Sequence, residues 1–524
     1  MKAKSEKYTK TAFTVAFMMG ATVISKLLGA LRAVFMANAY GTGVEANAFT
    51  AAYRIPNTFF DILFSAAIVG CFIPVYNSFT AENSRERGDF ARIFLNFILL
   101  LTGVLSVIGV VFAREIIALV TPGLPTETAV LAASLLRVLF PSIIFIGAAY
   151  TLVGVMQSKG RYLLPAAISS VSNLCVIIYF IFINNRLGEN GIYGLTVAYL
   201  IAWLAQFLTL AVPLAHSGSV YSPNFDFRNQ AFMRALKMLP AIIAGSWLIP
   251  VGNLSATYFA TYTETDGAVS VFDYSWSIYI IIAGTLVYSL CQYIFPGLAR
   301  RRAEGDESGF SATVSSGLLS LCALTLPFIC GAMILSREGV AVMYMRGIFT
   351  PSDAENVTTT LRMLLVAIPA FAVNELFSRV FYSRGDTKLP MLAALAGIAV
   401  NLACSAVSVR LLGLGLGAAA LSNALGQYAS AVVLIVCAAK RLRGVFGFGF
   451  LADFGRAVGC VLLSGGVMVL MYAIMPGSAY ERGLLANIAV CAVVFVPAGA
   501  IYLILLKLSG FGPLRGFTLS RKSG

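Results

Sequence analysis

Charge is what this sequence has least of. Only 11% of its 524 residues are Asp, Glu, Lys or Arg, against about a quarter in ordinary soluble domains, while 59% are hydrophobic. That balance excludes a soluble globular protein and leaves an all-α polytopic membrane protein. Histidine is nearly absent. His216 is the single one, which leaves little room for a histidine-ligated metal or an imidazole proton relay. The nine cysteines lie mostly in apolar runs and never form a CxxC pair, so packing explains them better than metal or disulfide chemistry, and no metal site is expected. No Gly-x-x-x-x-Gly-Lys loop is present, which argues against a built-in ATPase. No loop is long enough for a catalytic domain, so the chain does not read as an enzyme. Gly413, Gly415 and Gly417 imitate a dinucleotide loop, but they open an apolar span without a preceding strand, where close helix packing accounts for them. The first apolar run lacks a small-residue cleavage site and reads as a retained span.

What is there is a succession of apolar runs. Fourteen reach membrane-spanning length, at about 11–38, 46–79, 91–119, 127–157, 162–184, 190–215, 231–262, 267–298, 309–335, 353–382, 388–409, 413–439, 453–475 and 483–508. The net charge of +14 is concentrated in alternate loops: Lys2 to Lys10, Arg85 to Arg92, Lys159 and Arg161, Arg228 to Lys237, Arg300 to Arg302, Arg384 and Lys388, Lys440 to Arg443, and Arg515 to Lys522. The positive-inside rule then places both termini in the cytoplasm. It also explains the basicity without nucleic acid, and leaves anionic membrane lipids as partners for the basic loops.

An internal repeat organises the spans. Arg137 and Arg362, Ser158 and Ser383, Gly160 and Gly385, and Pro165 and Pro390 each stand 225 positions apart, and Arg114-Glu115 precedes Arg337-Glu338 by 223. The offset contains an even number of spans, so the halves are parallel repeats. The expectation is two parallel six-helix lobes around a central cavity, 1–218 and 219–443, followed by a C-terminal helix pair and tail, 444–524. Such an internal pseudo-dimer needs no second copy, so a monomer is expected.

Charged residues inside spans mark where a cavity lies, because hydrocarbon tolerates them only against protein or water. Arg32, Lys26 and Arg54 form a cationic set suited to an anionic substrate, the guanidinium fork of Arg32 above all. Asp61 stands seven residues after Arg54 and reads as a pairing or gating residue. Glu375 and Arg379, at i,i+4, read first as an intrahelical pair and second as a gate. Asp273 lies among Tyr274, Trp276 and Tyr279, in a setting that fits solvent exposure and function equally. Asn173 and Asn401 suit interhelical hydrogen bonding better than sodium ligation.

Two stretches carry a resemblance. SKLLGALRAVFMANAYGTGVEANAF and AAYRIPNTFFDILFSAAIVGCFIPVY, from Ser25 to Tyr76, with FYSRGDTKLP at 381–390, resemble the MurJ (MviN) lipid II flippases of the multidrug/oligosaccharidyl-lipid/polysaccharide exporter superfamily. The resemblance covers nearly the whole chain. It implies transport of an undecaprenyl-pyrophosphate-linked glycan from the cytoplasmic to the periplasmic leaflet of the bacterial inner membrane by alternating access. It implies no cofactor, and sodium and the membrane potential are both candidate drivers. Arg32 falls on the arginine of the family's Leu-Gly-x-x-Arg-Asp motif, here followed by Ala33, and Asn47 on the aspartate of Thr-Asp-Ala-Phe. Ser65 and Ala66 replace an acidic-Gly pair, Trp276 and Ser277 an Asp-Arg pair, and the sodium-linked aspartate of span 7 has no counterpart. A flippase for another polyprenyl-linked glycan, a multidrug antiporter and a non-transporting envelope scaffold are the alternative readings.

Overall fold

A computed structural model describes residues 2–80, 83–216, 223–246, 248–442 and 444–513; at 2–19, 22, 59, 61, 241, 243–246, 248–251, 253 and 299 it describes backbone only. The chain forms two compact units, Met1–Tyr262 and Thr263–Gly524, and the described residues contain no strand.

In the first unit the helices are α1 (Lys2–Tyr40), α2 (Val44–Asn77), α3 (Ser84–Val111), α4 (Ala113–Val120), α5 (Thr126–Leu139), α6 (Ser142–Ser158), α7 (Leu163–Phe182), α8 (Gly191–His216), α9 (Gln230–Ser246) and α10 (Leu248–Ala260). α2 runs through two widened π turns, at Ile55–Phe60 and Ile68–Phe72. The first contains Pro56, whose ring and missing N–H disrupt regular α geometry, and a widened turn accommodates it. α1 lies on α7, where the Asn173 amide donates to the Ser25 carbonyl at 3.1 Å and the Ser25 and Ser170 hydroxyls share a 2.6 Å hydrogen bond.

The second unit holds α11 (Ala268–Ala303), α12 (Glu307–Ile334), α13 (Ser336–Tyr344), α14 (Pro351–Leu365), α15 (Ile368–Ser383), α16 (Lys388–Leu411), α17 (Leu416–Arg441), α18 (Phe448–Ala473) and α19 (Leu484–Leu508). Thr350 and Asp353 cap α14 reciprocally, with Pro351 in its first turn, which fixes where that helix begins. α16 and α17 make a glycine-mediated approach: a Cβ on Gly397 would lie 2.8 Å from the Gly426 carbonyl oxygen, and one on Gly426 would lie 2.6 Å from that of Gly397. Backbone cannot move aside as a side-chain tip can. Gly397→Ala is therefore expected to lower stability by about 1–3 kcal/mol, read as a drop in thermal unfolding temperature; an unchanged midpoint would show that the helices slide apart freely.

The repeat reappears as structure. In each unit a short helix carrying Arg-Glu, α4 or α13, precedes a broken pair, α5 with α6 or α14 with α15, and both pairs bend by 43°. Among the described residues eleven helices are long and apolar enough to cross a membrane, and the two bent pairs, each taken as one span, raise this to thirteen. The expected fourteenth, 231–262, corresponds to α9 and α10, with Trp247 between them outside the described residues. These two helices pack on the first unit, through Phe97 against Phe232 with ring centroids 5.2 Å apart and Ile242 against Gly70. The sequence repeat had grouped that segment with the second lobe. α18 and α19 belong to the second unit, where the Tyr502 hydroxyl donates to the Ala323 carbonyl at 2.7 Å. Their outer faces expose Leu462, Leu470, Leu485 and Val496, which suits contact with lipid. The chain is a multi-pass membrane protein.

Candidate functional site

The expected cations lie in the first unit, on α1 and α2. Arg32 is half-buried, and its guanidinium carbon stands 5.8 Å from the Tyr53 ring centroid and 5.4 Å from that of Tyr199. The two rings meet edge to face at 4.8 Å, and Phe49 backs both, at 5.7 Å from Tyr53 and 5.1 Å from Tyr199. Three helices thus hold one cation against aromatic faces, a desolvated arrangement that limits the rotamers available to the arginine. The Phe49 to Tyr53 spacing of four residues could have drawn attention to this wall. Tyr199, far away on α8, carried no such signal.

Arg54 reaches another helix. It is 6% exposed, and its Nη1 donates to Thr257 Oγ1 on α10 at 2.6 Å. That hydrogen bond ties α2 to α10. The widened turn begins immediately after it, so Tyr53 faces the Arg32 site while Arg54 faces α10. One turn on, Asn57 donates to the Tyr53 carbonyl at 3.4 Å and accepts from Trp203 Nε1 of α8, which pins the same segment from the other side. Lys26 is half-buried on α1, next to the Ser25 and Ser170 bond. Asn47 is buried near the start of α2, with its backbone N–H donating to the Gly43 carbonyl at 3.0 Å. The Asp61 side chain lies outside the described residues.

Further along, α2, α6 and α7 enclose a cavity of about 180 Å³ lined by Ser65, Tyr150, Gln157 and Ser169 among apolar neighbours. Ser65 occupies the position where the resemblance expects an acid. The cavity wall is therefore neutral and hydrogen-bonding at that point.

In the second unit Glu375 and Arg379 form the i,i+4 pair, at 3.4 Å and about one quarter exposed. Asn374, beside them, donates to the Gln427 side chain at 2.8 Å and to its carbonyl at 3.1 Å, joining α15 to α17. Asp273 is half-buried on α11; the neighbouring Tyr274 carbonyl accepts a 3.1 Å hydrogen bond from Tyr344 of α13. The structure thus brings Arg32, Tyr53, Arg54 and Asn57 into one region of the first unit and gathers Glu375 and Arg379 on α15 of the second.

The family model described as Lipid II flippase MurJ matches residues 36–490. The chain belongs to that family. Among curated MurJ relatives, the Lipid II flippase MurJ of Burkholderia cenocepacia is 25% identical over 507 residues, covering 94% of this chain and 96% of the relative. The Probable lipid II flippase MurJ of Vibrio cholerae is 25% identical over 414 residues, covering 77% and 78%. The MurJ fold is shared as well: a solved lipid II flippase MurJ in an inward closed conformation superposes with a TM-score of 0.79 at 21% identity, over 94% of this chain and 99% of that one. An inward-facing multidrug resistance MATE transporter of the MOP superfamily gives a TM-score of 0.67 at 15% identity, over 82% and 98%. The match to the MurJ family model runs from the end of α1 into α19, so the bent spans and the Tyr53 and Tyr199 rings lie within it, and Arg32 stands four residues before its start.

Proposed function

We infer that this MurJ family member moves lipid II, the undecaprenyl-pyrophosphate-linked peptidoglycan precursor, from the cytoplasmic to the periplasmic leaflet of the bacterial inner membrane. The match of residues 36–490 to the lipid II flippase family carries the reading. Loop charge supports cytoplasmic termini, and the repeat supports alternating access by two rocking lobes in a monomer. The physical task is to carry a multiply charged headgroup past hydrocarbon, which a hydrated cavity lined with cations makes far less costly. Arg32 supplies bidentate donors for a phosphate oxygen pair, and Lys26 lies nearly two turns earlier on α1 as a second cation. Arg54 holds the α2 segment that carries Tyr53. Binding and release complete the cycle without covalent chemistry. Sodium or the membrane potential would bias the return step.

A proteoliposome assay tests this directly. Purified protein is expected to translocate lipid II, and imposing a sodium gradient or a potential identifies the driver. Movement of a different undecaprenyl-pyrophosphate glycan in place of lipid II would transfer the assignment to that cargo, and would make Asn47, Ser65 and Ser277 marks of a changed substrate.

A further inference from the structure

The aromatic wall around Arg32 continues into a second meeting of the same two helices. Tyr199 and Trp203 stand four residues apart on α8, and Phe49, Tyr53 and Asn57 follow at intervals of four along α2, so each set lies along one helix face. The two faces touch twice. Tyr199 packs edge to face on Tyr53 at 4.8 Å, and one turn further on the Trp203 indole Nε1 donates to Asn57 Oδ1. The Arg32 guanidinium from α1 lies against the first of these meetings, 5.8 Å from the Tyr53 ring and 5.4 Å from that of Tyr199.

Trp203 and Asn57 are both buried. An indole in such a place needs an acceptor for its single N–H, and the acceptor here sits inside the widened turn Ile55–Phe60. A widened turn departs from the i,i+4 ladder that holds an α-helix, so contacts from neighbouring helices decide how it is held. Asn57 carries the constraint back along α2, because its Nδ2 donates to the Tyr53 carbonyl at 3.4 Å. Tyr53 is thereby held twice from α8: its ring by Tyr199, and its backbone by Trp203 through Asn57.

We propose that Trp203 is a positioning residue for transport: acting through Asn57, it sets the place of the Tyr53 ring and with it the direction of the Arg32 guanidinium. The role rests on the reading of Arg32 as the group that takes a phosphate oxygen pair. Bidentate binding needs the edge of the guanidinium fork aimed at two oxygens, and a planar cation lying against two ring faces takes its orientation from those rings. Displacement of Tyr53 therefore turns the fork without removing any charge. A site that worked by charge alone would not feel the change.

Trp203→Phe keeps a ring and deletes the N–H, while Asn57→Leu deletes the acceptor from the other helix. Each is made in the full-length protein and again in the Arg32→Ala background. All are placed in phosphatidylcholine nanodiscs and titrated with undecaprenyl diphosphate, with thermal unfolding recorded so that affinities refer to folded protein. With Arg32 present, each change is expected to weaken diphosphate binding by about five- to tenfold, the scale of a buried hydrogen bond whose partner is left unpaired. In the Arg32→Ala background the same changes are expected to weaken it by less than about twofold, because no fork remains to be aimed. Residues that only hold the helices together would weaken binding by one factor in both backgrounds. That additive result overturns the proposal, as does unchanged binding by Trp203→Phe with Arg32 present. A parent protein that binds no diphosphate, or binds it equally well after Arg32→Ala, would instead sink the reading of Arg32 and the positioning role with it.

Discussion

Arg32→Ala is expected to reduce lipid II translocation by about 100-fold, while the protein remains folded and inserted. A charge-assisted hydrogen bond to a buried anion is worth about 1.5–3 kcal/mol, and each 1.4 kcal/mol is about a factor of ten. The neighbours sharpen the test, because Tyr53 and Tyr199 face the guanidinium carbon at 5.8 and 5.4 Å. Tyr199→Phe keeps the ring face and is expected to leave the rate within about twofold. Tyr199→Leu removes a contact worth about 0.5–2 kcal/mol and is expected to slow transport by roughly 3- to 30-fold. Initial rates, normalised to folded protein, read all three. Full activity in Arg32→Ala would remove the arginine from the substrate path, and equal loss in Tyr199→Phe and Tyr199→Leu would replace the ring-face argument with one about the hydroxyl.

The second large effect is on stability and lies far from that site. Glu338 of α13 is fully buried, and its only described cationic partner is Arg482, 12% exposed, at 3.2 Å in the loop between α18 and α19. Arg482 also donates to the carbonyls of Pro476 and Gly477, so it is both the closure of the hairpin turn and the counter-charge of a buried acid. Arg482→Ala strands that carboxylate, at an expected cost of about 3–5 kcal/mol. The adjacent pair Arg337 with Glu355, at 3.1 Å, is nearly half exposed, and Arg337→Ala is expected to cost less than about 1 kcal/mol. Thermal unfolding of the two variants side by side should separate them widely. Equal midpoints would mean that water reaches Glu338 and screens it.

The contrast between these two arginines shows what was legible in the chain and what was not. The succession of apolar spans and the repeat follow from short-range patterns, the repeat because Arg137 and Arg362 and the Ser-x-Gly turns recur at one offset, whereas the 43° breaks inside 127–157 and 353–382 carried no such signal. The Glu375 and Arg379 pair is also local, being one helical turn apart. By contrast, Glu115 and Glu338 occupy matched dipeptides, yet Glu115 is exposed and Glu338 is buried under a loop 144 positions away. Nothing within either dipeptide encodes that difference. Arg54 is similar: as a cation in an apolar run it reads as a cavity residue, and its Thr257 partner is 203 positions distant. Arg32 was identifiable from its motif, but its wall of Tyr53 and Tyr199 is assembled by helices whose packing the motif does not contain. Sequence marked where charge must be accommodated; tertiary structure decided whether protein accommodates it.

The matched 43° bends have a mechanical consequence. α6 contains 17 residues, which makes it a rigid rod about 25 Å long. With its pivot at the break beside Pro141, a change of about 20° in the bend would displace its far tip by roughly 9 Å. That tip is the Ser158 to Arg161 turn. The broken span is therefore a lever with its short travel at the fulcrum and its long travel where Lys159 and Arg161 are, and α15 gives the second unit an arm of nearly the same length, ending at Ser383.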